Sequence, residues 1–144
     1  MAARSVCIFG GSGFVGRCLA ATLARNSWRI TVPTRDPARA RHLSPIPSLR
    51  LIAADVHDPA QLAALCTGQS TVINLIGILN ERGRDGSGFA RVHVEFARKL
   101  VEACRQERVQ RLLQVSALNA DAERGTSHYL RSKGRAEQIG RAHV

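Results

Sequence analysis

Gly10-Gly11-Ser12-Gly13-Phe14-Val15-Gly16 is the stretch that decides how the rest of the chain reads. It follows a short apolar run, Ser5–Gly10 (SVCIFG), and opens an alanine-rich segment, Gly13–Asn26. The three-residue steps from Gly10 to Gly13 to Gly16 have a physical reading. Gly10 permits a tight turn, Gly13 lets backbone approach a diphosphate, and Gly16 allows close helix–strand packing. Amides at the start of the helix then offer N–H donors and a positive dipole end to phosphate oxygens. The same glycines would serve a bare turn. Their position between a strand-like run and an amphipathic helix favours the anion site, with Gly11, Ser12, Phe14 and Val15 completing the loop.

Working outward, short apolar runs alternate with helical patterns. The strand candidates are Ser5–Gly10, Arg29–Thr34, Arg50–Asp55, Thr71–Gly77 and Arg111–Ala117. Each carries little charge, as parallel strands covered on both faces require. The helix over Gly13–Asn26 places Phe14, Val15, Cys18, Leu19 and Leu23 on one side. A short helix over Pro59–Cys66 has Asp58 in capping position and Pro59 in its first turn. The longest pattern runs from Phe89 to Arg108, with Phe89, Val92, Phe96, Leu100 and Cys104 as its apolar stripe. A last helix starts near His128, and Glu81–Gly88 (ERGRDGSG) reads as a flexible loop.

This order predicts an α/β fold: a Rossmann-type, doubly wound parallel sheet, truncated at its C-terminal side. The last helix is cut short, and its final residues, Gln138–Val144 (QIGRAHV), match the in-frame translation of a common sequencing adapter. Residues 1–137 are therefore expected to be the dinucleotide-binding, N-terminal part of a longer protein, and 138–144 a non-native tail.

Composition narrows the function classes. The chain has 144 residues, 44% hydrophobic and 22% charged, ordinary for one soluble domain. No apolar run reaches the roughly 18 residues of a membrane span. The first strand begins at Ser5, which leaves no room for a signal peptide, so a cytoplasmic location is expected. The net charge of +10 comes from scattered arginines with only 4% aromatic residues. That pattern argues against nucleic acid, which needs a basic patch and stacking platforms. Cys7, Cys18, Cys66 and Cys104 form no CxxC pair, lie in apolar stretches and read as buried thiols. His42, His57, His93, His128 and His143 show no metal-ligand spacing, so no metal is expected.

The choice between NAD and NADP is made after the second strand. The chain reads Val32-Pro33-Thr34-Arg35-Asp36 there. Arg35 suits a 2′-phosphate, with Thr34 as hydroxyl donor and Arg39 in reach. Asp36, one residue from the acidic position of an NAD site, argues the other way, and Arg35 as a solvated loop charge is the bland alternative. NADP(H) is favoured, NAD(H) admitted. Asp55 either accepts from the adenine amino group, with the Val56 amide completing the edge, or caps the turn toward Pro59. Asn74 either faces the ligand or satisfies a strand-edge amide. Gly77 would let backbone pass close to a ribose, and Ile76 beside it is counted with the cofactor-binding residues.

Tyr129 and Lys133 form a YxxxK pair at the start of the last helix, one turn apart on one face. A phenol, with an ordinary pKa of about 10, shuttles protons at neutral pH only if its anion is stabilised. The Lys133 ammonium can do this and can also hold the nicotinamide ribose. Ser116, at the end of the fifth strand, is placed to orient a substrate carbonyl. Ser116, Tyr129 and Lys133 are the candidate catalytic set.

The glycine loop, Asp55 and the Ser…YxxxK set together resemble the short-chain dehydrogenase/reductase superfamily, particularly its extended and atypical members. Val72–Gly77 (VINLIG), Val115–Ala120 (VSALNA) and Tyr129–Lys133 (YLRSK) resemble the nucleotide-binding accessory subunits of respiratory complex I and their bacterial relatives. The resemblance implies a tightly held NADPH, a structural or regulatory role, respiratory-chain partners and a peripheral place at the inner face of the respiratory membrane. The bacterial relatives imply the alternative, an active oxidoreductase or a sugar-nucleotide epimerase or dehydratase.

Overall fold

A computed structural model describes residues 3–142. The elements run β1 (Ser5–Phe9), α1 (Phe14–Arg25), β2 (Arg29–Thr34), a 3₁₀ turn (Arg41–Leu43), β3 (Leu49–Ala53) and α2 (Pro59–Cys66). They continue with β4 (Thr71–Asn74), α3 (Ser87–Phe89), a π-helical segment (Ala90–Glu95), α4 (Phe96–Gln106), β5 (Arg111–Gln114) and α5 (His128–Ala142). Of the sequence-predicted tail, residues 138–142 continue α5, and His143 and Val144 lie outside the described residues. No described helix is long and apolar enough to cross a membrane. The chain forms two compact units, Met1–Leu75 with Ala103–Leu113, and Ile76–Glu102 with Gln114–Val144.

The first unit holds the sheet, in the order β3-β2-β1-β4-β5. β1 pairs in parallel with β2 (Val6 opposite Ile30) and with β4 (Phe9 opposite Asn74), and β2 with β3. The α/β fold is the one expected. The strand order reverses direction at β1, so the loop leaving β1 opens at the switch point where such sheets receive ligands. Val6, Ile8, Ile30, Val32, Leu43 and Ile73 form the core with Ala20 of α1.

Two packing expectations change in this unit. The helix α1 seats its small residues, Gly16 and Ala20, with Leu19 and Leu23 packing alongside, whereas Phe14, Val15 and Cys18 point outward. The cause is steric: a Cβ on Gly16 would stand 2.4 Å from backbone atoms of Gly11, so the helix approaches by its smallest side chains. Cys18 is therefore exposed, while Cys7, Cys66 and Cys104 are buried as expected. Burial raises the Cys7 thiol, and a hydrogen bond between Cys66 and Cys104 lowers the first and raises the second.

In the second unit the expected uniform helix from Phe89 is interrupted by the π-helical segment. A π turn inserts one residue and rotates the helix beyond it. His93 and Val94 are buried there, and Val92 only half-buried. The Glu81–Gly88 loop is closed on itself. The Glu81 carboxylate accepts from the backbone N–H groups of Gly86 (2.8 Å), Gly88 (2.9 Å) and Phe89 (3.4 Å), capping α3.

Candidate functional site

The carboxyl ends of β1, β2, β3 and β4 bring most of the sequence-predicted binding residues of the first unit to one sheet edge. Gly10 takes φ +78°, a left-handed conformation that favours glycine. Gly13 N–H closes the turn onto the Gly10 carbonyl at 3.3 Å, and Gly13 is the N-cap of α1. No side chain caps this helix and its first turn carries no acid. The first N–H groups of an α-helix have no intrahelical acceptor, and among the described residues none is recorded for those of Phe14, Val15 and Gly16. A Cβ on Gly13 would meet only the Gly10 carbonyl, at 3.5 Å, so the space over the loop is open. Phe14 and Val15 flank it, 76% and 56% exposed. These uncapped donors, beside a glycine that leaves the space over the loop open, suit an anionic phosphate group.

At the end of β2, Asp36 is engaged locally. Its N–H donates to Thr34 Oγ1 (3.2 Å), its Oδ1 accepts from Ala38 N–H (3.1 Å), and its Oδ2 pairs with Arg39 (3.4 Å). Arg35 is exposed, with no recorded partner among the described residues. Arg39, which the sequence reading puts in reach of a 2′-phosphate, is paired here with Asp36. After β3, Asp55 Oδ1 accepts from His57 N–H (2.9 Å) and its own N–H donates to Gln61 Oε1 (2.9 Å). Its carboxylate thus takes part in the turn, which leads to Val56 and on to Asp58, the cap of α2. Asn74 is buried at the end of β4, opposite Phe9. Sequence reasoning missed His42, whose Nε2 donates to the Ser12 carbonyl at 3.1 Å. Nothing local to either residue signals that contact.

The second unit holds Ile76, Gly77, Ser116, Tyr129 and Lys133. Ser127 starts α5, its Oγ accepting from Leu130 N–H at 3.2 Å. Tyr129 is half-buried and Lys133 buried, one helical turn on. Lys133 Nζ donates to the Val115 carbonyl at 3.1 Å, next to Ser116. Burial pulls the ammonium below the usual lysine range, with Glu137 opposing the shift. Ser116 Oγ is buried with no hydrogen-bond partner among the described residues. A buried hydroxyl is normally satisfied, so this atom is available to a ligand. Gly77 keeps space beside the ammonium: a Cβ there would lie 3.6 Å from Lys133 Nζ and 3.4 Å from His93 Nε2.

His93 is the second residue that the sequence reading missed as functional. It is buried in the π-helical segment, stacks on Phe89 at 5.8 Å and meets the Tyr129 ring edge-on at 5.5 Å. Desolvation first, and the Lys133 charge second, push its pKa down to about 4.

Residues 10–143 match a family of proteins described as NAD(P)H-binding. The chain is 30% identical over 138 residues to the mitochondrial NADH-ubiquinone oxidoreductase 40 kDa subunit of Neurospora crassa, covering 94% of this chain and 36% of that protein. It is 34% identical over 140 residues to a ceramide reductase of Caulobacter vibrioides, covering 95% of this chain and 42% of the relative. Among solved structures it resembles MoeE5 in complex with UDP-glucuronic acid and NAD, at 25% identity and a TM-score of 0.79, covering 96% of this chain and 49% of that one. The chain thus spans less than half the length of each of these proteins.

Proposed function

The chain belongs to the NAD(P)H-binding family, and from that premise we propose that it holds NADP(H) rather than NAD(H), in a structural or regulatory capacity like that of a complex I accessory subunit. One observation carries the cofactor preference: Arg35 is exposed and, among the described residues, unengaged just after β2, while Asp36 is tied into its own turn and to Arg39. An acidic side chain that accepts from ribose hydroxyls must be free to do so; a free guanidinium there suits a 2′-phosphate. Gly10–Gly16 would take the diphosphate on the amides of α1, and Thr34 would add a hydroxyl beside Arg35. The accessory role rests on the similarity to the 40 kDa subunit, and respiratory-chain subunits at the membrane's inner face are its expected partners.

Calorimetric titration with NADPH and NADH tests this reading. Tighter binding of NADPH is the expected result. Tighter NADH would reverse the preference, and no binding of either would remove the site.

A second reading is favoured by the unpartnered Ser116 Oγ and the buried Lys133. In it the chain belongs to an active oxidoreductase or epimerase, as the names of the ceramide reductase and the UDP-glucuronic acid complex invite. The bound dinucleotide would supply or accept the hydride. Ser116 would donate to the substrate oxygen, Tyr129 would give or take the proton, and Lys133 would stabilise the phenolate and hold a ribose hydroxyl. Turnover of a ketone or UDP-sugar that disappears in Tyr129→Phe supports it; retained dinucleotide without turnover supports the first reading.

A further inference from the structure

The first turn of α5 is held by a chain of hydrogen bonds that passes through one imidazole. The backbone N–H of Ile78 donates to His93 Nε2 at 3.1 Å. The Ser132 hydroxyl donates to the Tyr129 carbonyl at 2.8 Å. The Ser132 oxygen therefore accepts from His93 Nδ1, also at 2.8 Å. These partners allow one state of the ring, neutral with the proton on Nδ1, because Nε2 must accept and Nδ1 must donate. A second proton on the ring would leave two donors facing each other at Ile78 and place a cation near the Lys133 ammonium. Both ring nitrogens of this buried side chain are thereby satisfied.

The bonds end on the residues between Tyr129 and Lys133, and the ring contacts do the same. Tyr129 stands edge-on to His93 at 5.5 Å and to Phe89 at 5.8 Å. The π-helical segment supplies the backbone register, since it brings His93 inward where an uninterrupted stripe would bring Val92.

We propose that His93, as its neutral Nδ1–H tautomer, is a positioning residue for the Tyr129–Lys133 pair, fixing the first turn of α5 through Ser132 so that phenol and ammonium keep one orientation. The proposal rests on the reading of Tyr129 and Lys133 as the reactive pair, and its test needs neither bound dinucleotide nor turnover. Tyr129 is the chain's one tyrosine and Lys133 one of two lysines, so NMR resolves both.

In the unaltered chain, ring ¹⁵N signals of His93 show a neutral Nδ1–H imidazole at neutral pH. An Nε2–H tautomer or an imidazolium there would overturn the proposal. His93→Asn puts an amide nitrogen in the Nδ1 place and leaves the Lys133 titration as it was, the Tyr129 shifts changing only by the lost imidazole ring contact. His93→Gln reaches only Ile78; it displaces the Tyr129 signals and moves the Lys133 titration upward, toward a solvated amine. Ser132→Ala does the same to Tyr129, and Ser132→Thr restores it. An unmoved Lys133 titration in folded His93→Gln, or unmoved Tyr129 signals in folded Ser132→Ala, would refute the proposal. If the His93 variants do not fold, the native tautomer and the Ser132 pair still decide it. Failure to bind a dinucleotide leaves all these readouts intact, so it counts against the proposed function alone.

Discussion

The glycine loop of the first unit and the start of α5 in the second are built on opposite principles. At Gly10–Gly16 the useful groups are backbone amides, and what matters is the absence of side chains around them. Around α5 the useful groups are buried side chains, each held by a named bond: Lys133 to the Val115 carbonyl, His93 to Ile78 and Ser132. The first region is vulnerable to added atoms, the second to a changed proton or a lost partner. That difference dictates which perturbation should hurt each.

The largest effect is expected inside the loop, where two glycines should part company. Gly16→Ala forces a Cβ to within 2.4 Å of Gly11 backbone, which cannot swing aside as a side chain tip can. Overpacking of this kind falls at the upper end of its range, a loss of about 3 kcal/mol in urea unfolding. Gly13→Ala meets only the Gly10 carbonyl at 3.5 Å and already has φ −80°. It should cost at most about 1 kcal/mol as a changed N-cap, yet weaken the dinucleotide because the methyl occupies the diphosphate's approach. Equal stability losses in the two variants would end the distinction between packing and binding glycines.

The second region should respond to pH. In the folded chain His93 stays neutral down to about pH 4, from an ordinary value of 6.5. Between those limits the unfolded chain binds one proton more at this position, so stability falls as pH drops through the window. Above it the group contributes no slope. The carboxylates of Asp58, Asp85 and Asp121 are also held low by hydrogen bonds, but their loss begins only near the carboxylate range. Urea midpoints taken from about pH 7 to about pH 4.5 should therefore decline in the native chain and decline less in His93→Asn. Parallel declines would place the titrating group elsewhere.

A smaller, ligand-specific effect belongs to Arg35. Arg35→Ala should weaken NADPH by about tenfold or more, the worth of one charge-assisted hydrogen bond, and change NADH little. Equal losses for both would return Arg35 to the solvent, and the cofactor preference would lose its support.

The same divide separates what was legible in the sequence from what was not. The sheet showed itself because its strands are apolar runs, and the loop because only glycine fits it. Strand ends were overextended at Leu75–Gly77 and Val115–Ala117, where apolar residues leave the sheet but keep its composition. Hydropathy misjudged α1, since it ranks Phe14 and Val15 above the glycine and alanine that reach the sheet. It passed over His93 for a related reason. A π turn has no compositional signature, and a polar residue one place off a stripe looks solvent-facing until the register slips. The contact of His42 with Ser12 is made across the fold, and no local pattern announces it.

The outward face of α1 gives the last and smallest test, because its success is an absence of effect. Cys18 is exposed on that face and Cys7, Cys66 and Cys104 are buried. A thiol reagent needs both access and thiolate. Burial denies the three core cysteines access and holds Cys7 in the protonated form, while the hydrogen bond with Cys66, and burial after it, do the same for Cys104. One thiol should therefore react in the native chain and four after unfolding, with Cys18→Ser abolishing the native reaction and changing stability by no more than about 0.5 kcal/mol. A stability loss like that of a core substitution would mean that α1 buries the stripe read from hydropathy after all. The close approach of Gly16 to Gly11, on which the open face of the loop depends, would then have to be given up.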